Sequence, residues 1–114
     1  MSKWSDVWPR GVPQAPAIRL QKQGLRMTRE LFEAMGRPSY VDIVFRPNGD
    51  GEYLAIRPGH RYRVRAHPLD HAMRVNSRPL GAIVADESKG EWLLAEGRDG
   101  VWVVPVRLRG VDDA

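Results

Sequence analysis

The sequence predicts a small α+β protein in which two tandem β-α-β-β units form a mainly antiparallel, barrel-like or pseudo-dimeric sheet structure. Its 114 residues suffice for one domain with its own core. Short segments of alternating apolar and polar residues are separated by turn residues. The second half repeats the pattern of the first at an offset of about 48 residues. We therefore expect an extended arm at residues 1–16, a domain at 17–110 with halves at 17–58 and 60–107, and an acidic tail at 111–114.

The first half opens with two strands and a helix. In AIRLQ, Ile18 and Leu20 alternate with polar neighbours, as in a half-buried strand, and a second short strand follows Gly24. Thr28 is suited to cap a helix in RELFEAM because its hydroxyl accepts a hydrogen bond from an otherwise free backbone N–H. The buried face of that helix is predicted at Leu31, Phe32 and Met35.

Two further strands complete this half. YVDIVF and EYLAIRP are joined by Pro47-Asn48-Gly49-Asp50-Gly51, a strong hairpin signal. The order of elements is therefore strand, short helix, strand, strand.

The second half is expected to repeat that order. RYRVR is the predicted first strand, with Arg61, Arg63 and Arg65 on one face and Tyr62 and Val64 on the other. After MRVN, either Asn76 or Ser77 can cap a short helix with Pro79 in its first turn. The helix is predicted to bury Leu80, Ile83 and Val84, and strands follow at 91–95 and 101–106 around a turn at 97–100.

Positive charge is unevenly distributed along the chain. The net charge is +4, and residues 57–78 contain six arginines but a single acidic residue, Asp70. Such a stripe can neutralise phosphates, although charged residues also cover the solvated faces of many antiparallel sheets. The predicted anion-binding residues are Arg57, Arg61, Arg63, Arg65, Arg74 and Arg78.

Several functional classes have little support. Cysteine is absent, which excludes disulfides, thiol catalysis and cysteine-ligated metal sites. His67 and His71 flank Asp70, but Pro68 and the lack of further ligands disfavour a metal, so we expect neither metal nor cofactor. No catalytic motif occurs, and nothing brings His67 to Ser77 as base and nucleophile. We expect no enzymatic activity.

The tryptophans divide into two groups. Trp92 and Trp102 lie in strand patterns, where they are expected as core or cross-strand partners. Trp4 and Trp8 belong to the arm, which either covers the sheet or offers rings for stacking on bases or for contact with a partner. The N-terminus has no apolar signal segment and no apolar run approaches the ~18 residues of a membrane span, so we expect a cytoplasmic protein that does not bind membranes.

The run QKQGLRMTRELFEAMG, residues 21–36, resembles the AbrB-like (SpoVT/AbrB, MraZ) DNA-binding domain. The resemblance covers residues 18–58, and the other half is either a diverged second copy or a different element. It implies a swapped-hairpin barrel, DNA binding by arginines beside the hairpins, and either homodimers or tandem copies in one chain. The family's turn glycine, first arginine and helix-leading proline fall here on Gln23, Gly24 and Thr28, so the fold transfers better than the binding surface.

The sequence therefore predicts a regulatory or architectural nucleic-acid-binding protein with duplex DNA as its preferred partner. Arg19, Arg26 and Arg29 join the six arginines of residues 57–78 in the predicted surface. Two alternatives remain open: a protein–protein adaptor that docks on an acidic partner, such as a phage or host factor, and a binder of single-stranded nucleic acid. The chain can also associate with itself as a homodimer.

Overall fold

The computed structural model describes residues 12–48, 51–66 and 72–109. Within these ranges the chain forms ten strands and two short α-helices. The strands are β1 Ala17–Gln21, β2 Gly24–Met27, β3 Tyr40–Asn48, β4 Gly51–Pro58, β5 Tyr62–Arg63, β6 Arg65–Ala66, β7 Met73–Asn76, β8 Trp92–Leu94, β9 Glu96–Arg98 and β10 Val101–Pro105. The helices are α1 Arg29–Ala34 and α2 Arg78–Ile83, and a 3-10 turn spans Asp86–Ser88.

The strands form two antiparallel sheets around one core. The first sheet has the order β6-β7-β2-β1-β8 and the second has the order β5-β3-β4-β10-β9. Apolar residues from one face of each sheet, together with one leucine from each helix, make a continuous buried cluster. The α+β class expected from the sequence is thus confirmed.

Thr28 organises the start of α1 as predicted. It is 1% exposed, and its Oγ1 accepts a hydrogen bond from the backbone N–H of Leu31 at 3.3 Å and from that of Ala17 at 3.0 Å. The same hydroxyl donates to the carbonyl oxygen of Ala15 at 2.7 Å. One side chain therefore caps the helix and fixes the chain where it enters β1.

Replacing Leu31 by alanine should lower the free energy of unfolding by roughly 2–5 kcal/mol. Leu31 is fully buried in the shared core, so its truncation leaves a cavity that the short helix cannot close. Urea unfolding monitored by circular dichroism measures the effect. A change below about 0.5 kcal/mol, typical of surface positions, would contradict the packing described here.

The second helix differs from expectation at its end. Ser77 caps it, with Oγ accepting from the backbone N–H of Leu80 at 3.3 Å, and Leu80 is buried as predicted. Ile83 was expected in the core but is 42% exposed. The helix ends there, and the chain turns extended so that Val84, not Ile83, enters the core.

The strand predicted over 61–65 is not one strand. Tyr62–Arg63 forms β5 and pairs with β3 in the second sheet, whereas Arg65–Ala66 forms β6 and pairs with β7 in the first. The chain passes from one sheet to the other at Val64, whose backbone N–H donates to the carbonyl oxygen of Ser39 at 2.9 Å. Tyr62 and Val64 do pack against the core, as the alternation predicted.

The segment predicted as a strand at 91–95 and a turn at 97–100 is also divided between the two sheets. β8 pairs with β1 in the first sheet, and β9 pairs with β10 in the second. The turn between β9 and β10 consists of Asp99 and Gly100, shorter than the predicted turn at 97–100. Both residues have positive φ, as a two-residue hairpin turn requires. Gly97 remains in the strand because the Trp102 ring lies over it, 2.9 Å from where a Cβ would stand.

Candidate nucleic-acid interface

Four arginines occupy directly opposed positions on neighbouring strands of the first sheet. In order across the sheet they are Arg65, Arg74, Arg26 and Arg19, which we call the arginine row. Paired residues point to the same face of a sheet, and their neighbours Ile18, Leu25 and Val75 fill the core from the opposite face. The arginine row therefore lies on the outer face of the first sheet.

An aromatic side chain ends the row. Trp92 on β8 lies directly opposite Arg19 and does not belong to the core cluster. The buried Nε atoms of Arg19 and Arg74 and the indole Nε1 of Trp92 make no hydrogen bond within the described residues. Each of these buried N–H groups is therefore a donor without an acceptor among the described residues.

Like charges directly opposite each other weaken an antiparallel sheet, by roughly 0.2–1 kcal/mol per pair. The arginine row contains three such contacts in succession. The guanidinium groups of the row are therefore close neighbours of like charge.

Polar residues flank the arginine row one step further along the strands. Gln21 and Asn76 lie on either side of Gly24. Gly24 has φ +138°, and a Cβ there would stand 1.9 Å from the carbonyl oxygen of Val75. The glycine therefore permits the close approach of β2 and β7 that aligns the row.

Three of the predicted arginines lie elsewhere, on the second sheet. Arg57 is opposite Asp42, Arg63 is opposite Tyr40, and Arg61 follows β4 in the turn that leads to β5. The prediction that Arg61, Arg63 and Arg65 share one face is wrong, since Arg65 belongs to the first sheet. The physical reason is the change of sheet at Val64.

The carboxylate of Asp42 holds the turn that carries Arg61. Its Oδ1 accepts the backbone N–H of His60 at 3.0 Å and that of Arg61 at 3.1 Å. The hydrogen bond from the His60 backbone is the largest influence holding the pKa of Asp42 below its usual value. Desolvation, the next largest, opposes it, and the Arg61 backbone and the Arg57 guanidinium lower the pKa further.

Asp42 should make stability depend on pH only under acid conditions. Because its pKa is lower in the folded state, its contribution is present above the unfolded pKa of about 3.9 and is lost as pH falls through the folded value. We expect Asp42→Asn to lower the urea midpoint at pH 7, with the difference from wild type shrinking below about pH 4. A difference that stays constant from pH 7 to pH 3 would contradict this assignment.

A separate basic hollow surrounds Arg78. It is lined by Lys22, Gln23, Arg78, Gly81, Ala82, Asp86, Lys89 and Arg109. Asp86 accepts from Lys89 Nζ at 3.3 Å and from Arg109 Nη2 at 2.7 Å, and the Lys89 hydrogen bond is the main cause of its lowered pKa. Asp86 thus pairs with two of the four basic side chains that line this hollow.

The remaining predicted residues do not join these surfaces. Arg29 is the exposed first residue of α1 and belongs to neither the arginine row nor the hollow. Trp4 and Trp8 lie outside the described residues, as do His67, Asp70 and His71. Within the described ranges, no three His, Asp or Glu side chains come close enough together to hold a metal ion.

Two residues of these surfaces were missed from the sequence. Trp92 was assigned only a packing role, because its alternation in EWLLA does not reveal which face of the strand is solvated. Arg46 lies opposite Tyr53 on the second sheet, where it lines a groove with Arg57 and Arg61. The alternation of YVDIVFR places Arg46 on the face of Asp42 and was the signal that could have identified it.

Comparison with known proteins yields no matching family model, no matching curated protein and no matching solved structure. In the part of the chain that the structure describes, none of the helices combines the length and the apolar composition needed to cross a membrane.

Proposed function

We propose that this protein binds nucleic acid, with duplex DNA preferred, in a regulatory or architectural role without catalysis. The observation that carries the proposal is the arginine row on the outer face of the first sheet. Guanidinium groups form charge-assisted, bidentate contacts with phosphates, and a single chain here presents four of them side by side.

The spacing of the row suits a phosphate backbone. Neighbouring strands lie about 4.8 Å apart, so the three gaps between its four members span about 14 Å. Over that length one DNA strand, with ~3.4 Å of axial rise per phosphate, presents several phosphates within reach of long arginine side chains. Gln21 and Asn76, beside the row, add amide groups able to contact phosphate or sugar oxygens.

A fold of two repeated halves, closed into a barrel, would explain why Arg26 and Arg74 are neighbours in the arginine row. Its support is the pairing between halves: β2 with β7, β4 with β10, β1 with β8 and β3 with β5. In the first two pairs, Arg26 opposes Arg74 and Ala55 opposes Val103, both 48 positions apart. Residues related by a two-fold axis meet in this way where equivalent strands pair.

The positions of the edge strands are relevant to whether the two sheets close into a barrel. β5 and β6 are edge strands of different sheets separated along the chain only by Val64, and β8 and β9 are separated only by Ala95. Each edge of one sheet thus continues into an edge of the other, as in a barrel without free edges. This arrangement agrees with the tandem copies that the AbrB-like resemblance implies.

Fluorescence anisotropy of a labelled 20-base-pair duplex and of its single strand, titrated with protein at several salt concentrations, tests the proposed function. Four phosphate contacts give a log–log salt slope of about −3.6 on duplex DNA. Binding that is stronger for the duplex and weakens steeply with salt supports the proposal. Absence of binding at low salt would refute it.

Single-stranded nucleic acid is the second candidate, and Trp92 favours it. An indole at the end of a row of arginines resembles the combination of stacking surface and cationic groove used for single strands. In that case Trp92→Leu should weaken binding to the single strand about tenfold, since a stacked base contributes ~1–3 kcal/mol, and duplex binding should change little. Equal effects on both ligands would exclude the stacking role.

A further inference from the structure

The outer face of the second sheet carries a shallow groove that the arginine row does not use. Its lining includes Asp42, Val44, Arg46, Ala55, Arg57 and Arg61, with Val101 at one end. Ile43 and Ile56, on the same strands, face the core on the other side of this sheet. We call this surface the second-sheet groove.

The floor of the second-sheet groove is apolar and partly exposed to solvent. Val44, in the middle of β3, has 48% of its surface exposed, and Ala55 lies directly opposite it on β4. Val103 extends the same cross-strand line onto β10. A central strand row of this composition leaves an apolar strip in water that a ligand can cover.

The rim is basic and partly pre-organised. Among the residues that line the groove, Arg46, Arg57 and Arg61 contribute three positive charges against the carboxylate of Asp42. Glu96, opposite Val103 at the end of the cross-strand line, forms an ion pair with Arg98 at 3.1 Å. Asp42 fixes the Arg61 backbone, and the Arg61 guanidinium lies 5.7 Å from the centre of the Tyr62 ring. A Cβ at Gly59 would stand 2.2 Å from Asp42 Cγ, so a side chain there would displace the carboxylate from its hydrogen bonds to this turn. Immobilised cations lose less entropy when they bind a ligand.

We propose that the second-sheet groove binds an extended acidic segment of a partner protein, with apolar side chains between its carboxylates. The apolar side chains cover Val44 and Ala55 while the carboxylates pair with the arginines of the rim. A phosphate backbone suits this groove less well, since it has no apolar group to cover Val44 and Ala55. The inference goes beyond nucleic-acid binding and uses a different face of the molecule.

A fluorescein-labelled ten-residue peptide that repeats Glu-Glu-Leu-Leu is a suitable probe for anisotropy with the full chain, because each face of its extended form carries both glutamate and leucine. Two matched peptides, one with lysine for glutamate and one with serine for leucine, separate the contributions of charge and apolar contact. The glutamate–leucine peptide should bind at least about tenfold more tightly than either. Equal binding of the serine peptide, or no binding of the first, would overturn the proposal.

Two double variants test whether the peptide binds in the second-sheet groove. Arg57→Gln with Arg61→Gln should weaken peptide binding about tenfold, since two exposed ion pairs are lost. The control Arg37→Gln with Arg107→Gln removes the same charge from exposed residues outside the groove and should leave binding within about twofold. Circular dichroism verifies that both variants fold. Equal losses in the two variants would reduce the effect to net charge and overturn the proposal.

Duplex DNA distinguishes this inference from the proposed function. Arg19→Gln with Arg74→Gln removes half of the arginine row and should leave peptide binding unchanged. Two results together would contradict a peptide site. They are displacement of the peptide by a 20-base-pair duplex at equal concentration and loss of duplex binding in the Arg57→Gln with Arg61→Gln variant. Both results together would identify the groove as a nucleic-acid surface.

Discussion

Replacing Arg19 and Arg74 together by glutamine should reduce the slope of duplex affinity against salt by about 2, from about −3.6. Each arginine that contacts a phosphate releases about one counterion, so two lost contacts remove about half of the salt dependence. Affinity should fall most at low salt, where counterion release contributes most. Anisotropy titrations at several salt concentrations give both values.

The same double variant should be as stable as wild type or more stable. Glutamine keeps a polar side chain but removes like-charge contacts with Arg26 and Arg65, which weaken the sheet by roughly 0.2–1 kcal/mol per pair. The matched control is Arg37→Gln with Arg98→Gln, which deletes two exposed arginines paired with Glu33 and Glu96. If that control reduces the salt slope equally, the row has no special role.

Gly24→Ala should destabilise the protein by about 3 kcal/mol or more. A side chain there must adopt φ +138° and would collide with the carbonyl oxygen of Val75 at 1.9 Å, in the strand pair that joins β2 to β7. Backbone cannot yield as a flexible side chain can, so the pair must separate. Thermal and urea unfolding measure the loss.

Gly36→Ala is the matched control for this prediction. Gly36 also has positive φ, +85°, but nothing lies within 4 Å of its Cβ position. It should therefore show only the ~1–2 kcal/mol cost of a left-handed residue. A Gly24→Ala variant no less stable than Gly36→Ala would mean that β2 and β7 are not closely paired.

Local chemistry accounts for the parts of the fold that the sequence predicted well. Thr28 and Ser77 cap helices as expected, because a cap depends on residues only a few positions away. The alternation in β1 and β4 places Ile18, Leu20, Leu54 and Ile56 in the core. These features need no knowledge of which strands become neighbours.

The features that the sequence did not predict depend on pairing between segments that are distant along the chain. The divisions at Val64 and Ala95 depend on hydrogen bonds to Ser39 and Pro16, which lie far away along the chain. Alternation assigned Arg65 the same face as Arg63 because it assumes one uninterrupted strand. The composition of the site was therefore predictable in large part, whereas its division into two surfaces was not.

The arginine row itself follows from register. Arg19, Arg26 and Arg74 were each expected to bind anions, but nothing local predicts that they stand directly opposite one another. A slip of one residue between β2 and β7 would move Arg74 to the core face. The close approach at Gly24 helps to fix this register, which connects the stability of the sheet with the geometry of the proposed interface.

Amide chemical-shift mapping of the isotope-labelled protein during titration with a 20-base-pair duplex tests the proposed interface. The proposed function predicts shifts concentrated on β1, β2, β6 and β7, around Arg19, Arg26, Arg65 and Arg74, and weaker shifts at higher salt. The Trp92 indole should move with them if the duplex reaches the end of the row. Shifts confined to the second-sheet groove or to the hollow around Arg78, or no shifts at low salt, would contradict it.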